Sequence, residues 1–376
     1  MTANPARRAT RATLATLASC ATRATSVLVM LGACLVLSAC ALPGPVAVAP
    51  LQESGVSLPV WRNALFGPGA DPSVVVRDGV YHDVQSSADG KSLVMRSAAT
   101  LAGLAAAQPR TVWRGGVAGA PCCELWAPEL QVLRGQWVIT YAADDGDNRD
   151  HRLYQLVADR PGGPWRSVGA LRTPDDRWAI DGTVFETPDG ALYLLWSGWP
   201  GPDNGVQNLY IARMGDPFTV VGPRVALSTP TWEWETEGAG RDLPRVNEGP
   251  AALVRNGRVF VSYSASGCWS GGYKLGLLSA PLGADLLDPM NWTKSPAPVF
   301  ASDPAAAVHA PGHNGFFRSP DGREDWFVYH AVDSPRGDCG ARRTLRAQRL
   351  AWRPDGTPDF GRPHGLRVPQ RAPAGE

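Results

Sequence analysis

Residues 71–87 read DPSVVVRDGVYHDVQSS, two apolar β-branched runs on either side of Asp78-Gly79. An Asp-Gly pair between such runs predicts a β-hairpin, because the tight turn needs positive φ and glycine supplies it without steric cost. Four further segments repeat the pattern: 127–143 (APELQVLRGQWVITYAA), 180–198 (IDGTVFETPDGALYLLWSG), 248–266 (EGPAALVRNGRVFVSYSAS) and 311–331 (PGHNGFFRSPDGREDWFVYHA). Each is headed by a polar residue beside Pro or Gly. Anchored on Asp71, Glu129, Asp181, Glu248 and His313, the spacings are 58, 52, 67 and 65 residues. Such an interval holds about four strands, one blade of a propeller. The expectation is an all-β chain forming a five-bladed β-propeller over residues 71 to about 360, since closing a ring buries sheet faces without long free edges. A pair of β-sandwiches with similar hairpins would not place the polar residue at the same point of every unit. Helical patterning is scarce; the Ala-rich stretch Ser97 to Gln108 is its best candidate.

Residues 1–40 differ in kind. They hold Arg7, Arg8, Arg11 and Arg23, no acidic residue, then the apolar run Val27 to Ala39 and Leu37-Ser38-Ala39-Cys40. A charged segment followed by an apolar run too short for a membrane span reads as an export signal. Small residues directly before a cysteine resemble a bacterial lipobox, which implies lipidation of Cys40 and a membrane-anchored lipoprotein, periplasmic or on the cell surface. Residues 41–58 read as a tether and 59–376 as the catalytic domain. Without the leader the formal net charge falls from +1 to −3. With no run of Lys or basic patch, nucleic acid is not expected as a partner. Hydrophobic residues at 44% and charged residues at 19% exclude a disordered chain.

Equivalent positions at the head of each inner strand of a ring converge on its axis. Asp71, Asp181 and Glu248 bring carboxylates there and His313 an imidazole. Glycoside hydrolysis needs two carboxyl groups in opposite protonation states, and crowded acids raise at least one pKa, keeping it protonated near neutral pH. A lone Asp-Pro or Glu-Gly-Pro would read as a strand cap. Three acids at matching positions favour a site.

The motifs Asp71-Pro72-Ser73-Val74, Trp126-Ala127-Pro128-Glu129, Ile180-Asp181-Gly182-Thr183, Asn247-Glu248-Gly249-Pro250 and Gly312-His313-Asn314 resemble, in order, the blade signatures of glycoside hydrolase family 43. The resemblance implies inverting hydrolysis with Asp71 as general base, Glu248 as general acid and Asp181 raising and orienting the acid. It implies no cofactor for the chemistry, and places His313 where a structural cation of the central channel would sit. Further stretches, Gln207 to Ala212, Trp234-Glu235, Tyr263 to Gly267, Tyr273 to Gly276 and Arg346-Ala347-Gln348, are similar to the branch acting as exo-α-1,5-L-arabinofuranosidases. Arabinan or arabinoxylan oligosaccharides are then the expected partners, Arg346 and His313 substrate contacts, and a monomer the expected state. The second strand departs from the family pattern at His82-Asp83, which puts the pocket wall beside the base in question. β-Xylosidase, a xylan-debranching arabinofuranosidase and a non-catalytic sugar-binding propeller are the alternatives on the same scaffold.

All 14 tryptophans follow the leader. Sugars stack on flat aromatic faces; Trp126 and Trp199 are expected to border the pocket, and Trp137, Trp196 and Trp326 to lie in the core. Of the four cysteines after Cys40, Cys268 and Cys339 follow matching strands of neighbouring units, which predicts a disulfide between them. Adjacent Cys122 and Cys123 are either a vicinal bridge or free thiols.

Overall fold

Two-residue turns set the register of three hairpins. In the computed structural model, which describes residues 59–376, the pairs Asp78-Gly79, Arg134-Gly135 and Asn256-Gly257 each separate directly paired strand residues. All six have positive φ, the requirement of the turn whose twist matches its flanking strands.

After the short strand β1 (Val60–Trp61) come five antiparallel meanders. The first is β2 (Ser73–Arg77), β3 (Val80–Ser86), β4 (Ser92–Ala98) and β5 (Arg110–Arg114); the second is β6 (Cys123–Leu133), β7 (Gln136–Asp144), β8 (Arg152–Ala158) and β9 (Arg166–Ala170). The third runs β10 (Ala179–Glu186), β11 (Leu192–Gly198), β12 (Val206–Asp216) and β13 (Thr219–Ser228), and the fourth β14 (Arg245–Arg255), β15 (Arg258–Ala265), β16 (Lys274–Pro281) and β17 (Thr293–Lys294). The fifth is β18 (His309–Arg318), β19 (Asp325–Val332), β20 (Thr344–Trp352) and β21 (Pro358–Asp359), and β22 (Gln370–Arg371) returns to pair with β1. The fold is all-β, as the hairpin pattern predicts. Three meanders are separate sheets; the third and fourth are fused by a two-residue parallel contact of β12 with β14. The first strands touch in sequence, β2 on β6, β6 on β10, β10 on β14, β14 on β18, and β18 on β2.

Period-two alternation explains this stacking. In β7, Trp137, Ile139 and Tyr141 pack toward the first meander with Val84, Leu93 and Trp113. Val138 and Ala142, on the other face, pack toward the third with Trp178, Leu194 and Trp196. Further slabs join third to fourth and fourth to fifth. The last sets Trp61, Val74 and Tyr81 against Phe317, Trp326 and Leu345, fifth meander to first. Trp137, Trp196 and Trp326 are core residues, as expected.

The stretch Ser97 to Gln108 is not an α-helix: β4 runs to Ala98, and a 3-10 turn follows at Ala102–Ala105. Gly103 weakens a helix there, while Leu101 and Leu104 are buried in the slab between fifth and first meanders. The leader, the tether and Cys40 lie outside the described residues.

Cys268 and Cys339 are joined in a disulfide across 71 positions, and Cys122 and Cys123 in another. In the chain-entropy view a loop of that size contributes up to about 4 kcal/mol. The double variant Cys268→Ser/Cys339→Ser should therefore lose a few kcal/mol of unfolding free energy in guanidinium. Peptide mapping without reductant should show the 268–339 cross-link; alkylatable thiols at both positions would refute it.

Candidate active site

Each meander carries a left-handed residue at an equivalent point, just before β2 and inside β6, β10, β14 and β18: Asp71 (φ 48°), Ala127 (41°), Asp181 (56°), Gly249 (54°) and His313 (46°). In four strands the ladder shifts register beside it, between Trp126 and Glu129, Ile180 and Thr183, Glu248 and Ala251, and Gly312 and Gly315. Bulges of this kind re-aim side chains at strand ends. The geometry corrects two sequence anchors. Glu129 lies two residues beyond the position equivalent to Asp71, and Glu248 one residue before it. At Gly249 both backbone and space demand glycine, since a Cβ would stand 3.0 Å from Cγ of His313.

Asp71, Asp181, Glu248, His313 and Arg343 line one cavity of about 410 Å³, with Trp126 and Trp178 among its walls. A second, of about 570 Å³, shares Asp71, Trp126 and Arg343 with it. An Asp71 oxygen lies 2.9 Å from Nη1 of Arg343, and 3.2 Å from Nδ1 of both His313 and His330. Burial opposes ionisation of Asp71, but Arg343, His313 and His330 outweigh it and hold the carboxyl well below the usual carboxylate range. His330 Nδ1 also accepts the Asp71 backbone N–H at 3.2 Å. Burial pushes that imidazole down to about 4, so the ring is neutral near pH 7 and Arg343 supplies the permanent charge.

Glu248 is the opposite case. Burial pushes its carboxyl up to about 7; the Tyr273 hydroxyl, donating at 2.8 Å, pulls it down, and the Asp71 charge adds to the rise. Asp181 is raised well above the ordinary range by burial, then by Glu248 and Asp71. Its Oδ2 accepts the N–H of Gly249 at 2.8 Å, fixing the backbone beside Glu248. Near neutral pH the cavity thus pairs an ionised Asp71 with a Glu248 poised to hold its proton.

Two expected sugar contacts fall elsewhere. Trp199 is buried and stacks on Trp178 at 4.7 Å, so Trp178 presents the cavity face and Trp199 backs it. Arg346 is fully buried in β20, bonded to Thr344 and paired with Asp333, and it does not line the cavity. Arg343, three residues earlier and just outside β20, reaches Asp71 instead. Trp126 lines both cavities. Glu129 is buried against Ser73 and pushed up to about 8, first by burial. Glu235 is held by Lys294 and Tyr263, away from the cavity. His82 packs on Trp137 and Ser97, and Asp83 is buried with its carboxyl pushed up to about 7, burial outweighing Arg96. Neither forms cavity wall. Tyr273 and His330 lie in stretches the sequence singles out, but no site role was read there; only their contacts with Glu248 and Asp71 reveal one.

At the position suggested for a cation, His313 Nδ1 faces Asp71, and Nε2 is buried without a partner. That is one free ligand atom, enough for a water or one bond to an ion but not for a closed cage.

Comparison with known proteins identifies the family. The profile of glycosyl hydrolases family 43 matches residues 63–358. An extracellular exo-α-(1→5)-L-arabinofuranosidase of Streptomyces avermitilis is 36% identical over 314 residues, which cover 81% of this chain and 63% of that protein. The enzyme of the same name from Streptomyces chartreusis is 36% identical over 81% of this chain and 90% of its own. The crystal structure of an α-L-arabinofuranosidase from Lactobacillus brevis superposes with a TM-score of 0.74 at 37% identity, covering 82% of this chain and 98% of that one.

Replacing Arg343 with Met removes the permanent charge beside Asp71 and leaves burial unopposed by it. The Asp71 carboxyl should then titrate about one to three units higher, followed by ¹³C NMR of labelled aspartate carboxyls. An unchanged titration would mean that the histidines, not Arg343, hold it down.

Proposed function

The chain belongs to glycosyl hydrolases family 43, and on that premise we propose that it is an exported α-L-arabinofuranosidase releasing L-arabinofuranose from the ends of α-1,5-linked arabinan or arabino-oligosaccharides. The names of the Streptomyces relatives support the substrate. The opposite protonation tendencies of Asp71 and Glu248 in one cavity carry the mechanism.

In this reading Asp71 takes a proton from a water as its oxygen attacks the anomeric carbon, and Glu248 gives its proton to the departing glycosidic oxygen. The bond to the leaving sugar breaks as the bond to water forms, with inversion. Asp181 is a positioning residue: its bond to the Gly249 N–H holds the acid's backbone. Trp126 and Trp178 offer apolar faces to the sugars. The five meanders are the blades of one propeller, a reading supported by the cyclic contacts of their first strands. The chemistry needs no cofactor; a structural cation in the channel would meet the free Nε2 of His313. The leader supports anchoring through a lipid on Cys40, and Cys40→Ser should remove that lipid by mass spectrometry of the membrane fraction.

Because the acid must be protonated, kcat/KM should fall as pH rises through about 7, while Asp71 stays ionised far into acid. General-acid help is worth about 10²–10⁴ for a poor leaving group. Glu248→Gln should therefore lose far more on an arabinan oligosaccharide than on an aryl α-L-arabinofuranoside, whose phenolate leaves unaided. Asp71→Asn should be nearly inactive on both. Proton NMR should show the β-anomer first, and an aryl β-D-xyloside should be the poorer substrate. Equal losses for Glu248→Gln on both substrates would remove it from the acid's role.

A further inference from the structure

We propose that Glu124, Asp144 and His151 bind a first-row divalent cation of the zinc class behind Trp126, a site separate from the carboxylates of the cavity. One ligand atom from each of the three lies within 4.8 Å of the others. They come from neighbouring strand ends of the second meander: Glu124 near the start of β6, Asp144 at the end of β7, and His151 just before β8.

The hydrogen bonds show what occupies the gap between them. His151 Nε2 lies 3.2 Å from the Glu124 carbonyl oxygen. A carbonyl only accepts, so Nε2 carries the hydrogen, and the neutral ring has a bare lone pair on Nδ1. That lone pair faces Asp144 Oδ2 at 3.0 Å, with both side chains fully buried. The two atoms are not aligned as a hydrogen bond, and neither has a partner. The other Asp144 oxygen is already engaged by the N–H of Gly146. Two buried lone pairs at this distance repel unless something positive bridges them. Among the described residues, no Lys or Arg pairs with Glu124 or Asp144; the nearby Arg152 is bonded to Asp176 and to the His151 carbonyl.

Zinc bonded to both atoms at about 2.1 Å in a tetrahedral site would set them about 3.4 Å apart, so the pair at 3.0 Å opens by a few tenths of an ångström as the ion enters. An imidazole whose other N–H is tied to a backbone carbonyl is a usual arrangement for a metal-bound histidine. One imidazole nitrogen with two carboxylates suits zinc better than the all-oxygen preference of calcium. Glu124 is exposed and leaves a way in for the ion. The Trp126 ring stacks on His151 at 4.1 Å and lines both cavities, so the ion fixes the wall against which a sugar would lie.

The test uses the full chain stripped with chelator and titrated with ZnCl₂, read by calorimetry and by tryptophan fluorescence. One equivalent should bind, with a fluorescence change from Trp126. Glu124→Gln, at an exposed position and checked for unchanged thermal melting, and Asp144→Asn should each weaken binding at least about tenfold. His313→Gln should leave it unaltered, which separates this site from an ion on the axis. Absence of saturable binding up to about 1 mM, or undiminished binding in both carboxylate variants, would overturn the proposal. So would binding of CaCl₂ in preference to zinc, which would contradict the ligand chemistry.

Discussion

Everything in the cavity depends on one backbone constraint: a residue in the left-handed region stands at the axial end of each meander's first strand, just before β2 and inside β6, β10, β14 and β18. Non-glycine residues pay of order 1–3 kcal/mol to stay there, and four of the five positions are not glycine. The strain is held by the ladder that starts beside it and by packing on both faces. Its effect is directional. The left-handed kink, joined in β10 and β18 by a register shift, turns Asp71, Asp181 and His313 toward the cavity. Glycine at 249 turns the neighbouring Glu248 the same way, and leaves room for the His313 ring.

Convergence then makes the electrostatics unequal. Asp71 has Arg343 at 2.9 Å, whereas Glu248 has only a tyrosine hydroxyl at 2.8 Å. A unit of pKa corresponds to about 1.4 kcal/mol, so a guanidinium paired directly with Asp71, and acting on Glu248 only as the smallest of its influences, separates their protonation states. Asp181 has no cation beside it, and burial, Glu248 and Asp71 raise its carboxyl well above the ordinary range. Two carboxyls of nearly the same intrinsic strength are thus given different tasks by their neighbours.

Local chemistry was legible in the sequence and distant chemistry was not. Asp78-Gly79 and Asn256-Gly257 announce their turns because the turn geometry depends on those two residues alone. The motif at 247–250 points to Glu248 because Gly and Pro mark the bulge that aims it. Arg343 carries no comparable mark; it lies in an arginine-rich run in which the family resemblance pointed to Arg346, and only strand pairing decides which side chain is buried. Trp199 was misplaced for a related reason. Its strand end faces the pocket, but Trp178 stands between. Glu129 shows the limit of anchoring repeats on charge: the structural repeat is a φ angle, and alanine satisfies it at 127.

The final slab of the core joins the two ends of the chain. Trp61, Leu65 and Val74 come from its beginning and Phe317, Trp326 and Leu345 from near its close, while β1 waits for β22. A chain emerging from its N-terminus keeps one apolar sheet face of the first meander open until almost the whole length has followed. The first unit made is therefore the last to be fully covered. The contacts that close the series join segments some three hundred residues apart, so a break anywhere along it removes the partner on which that closure relies.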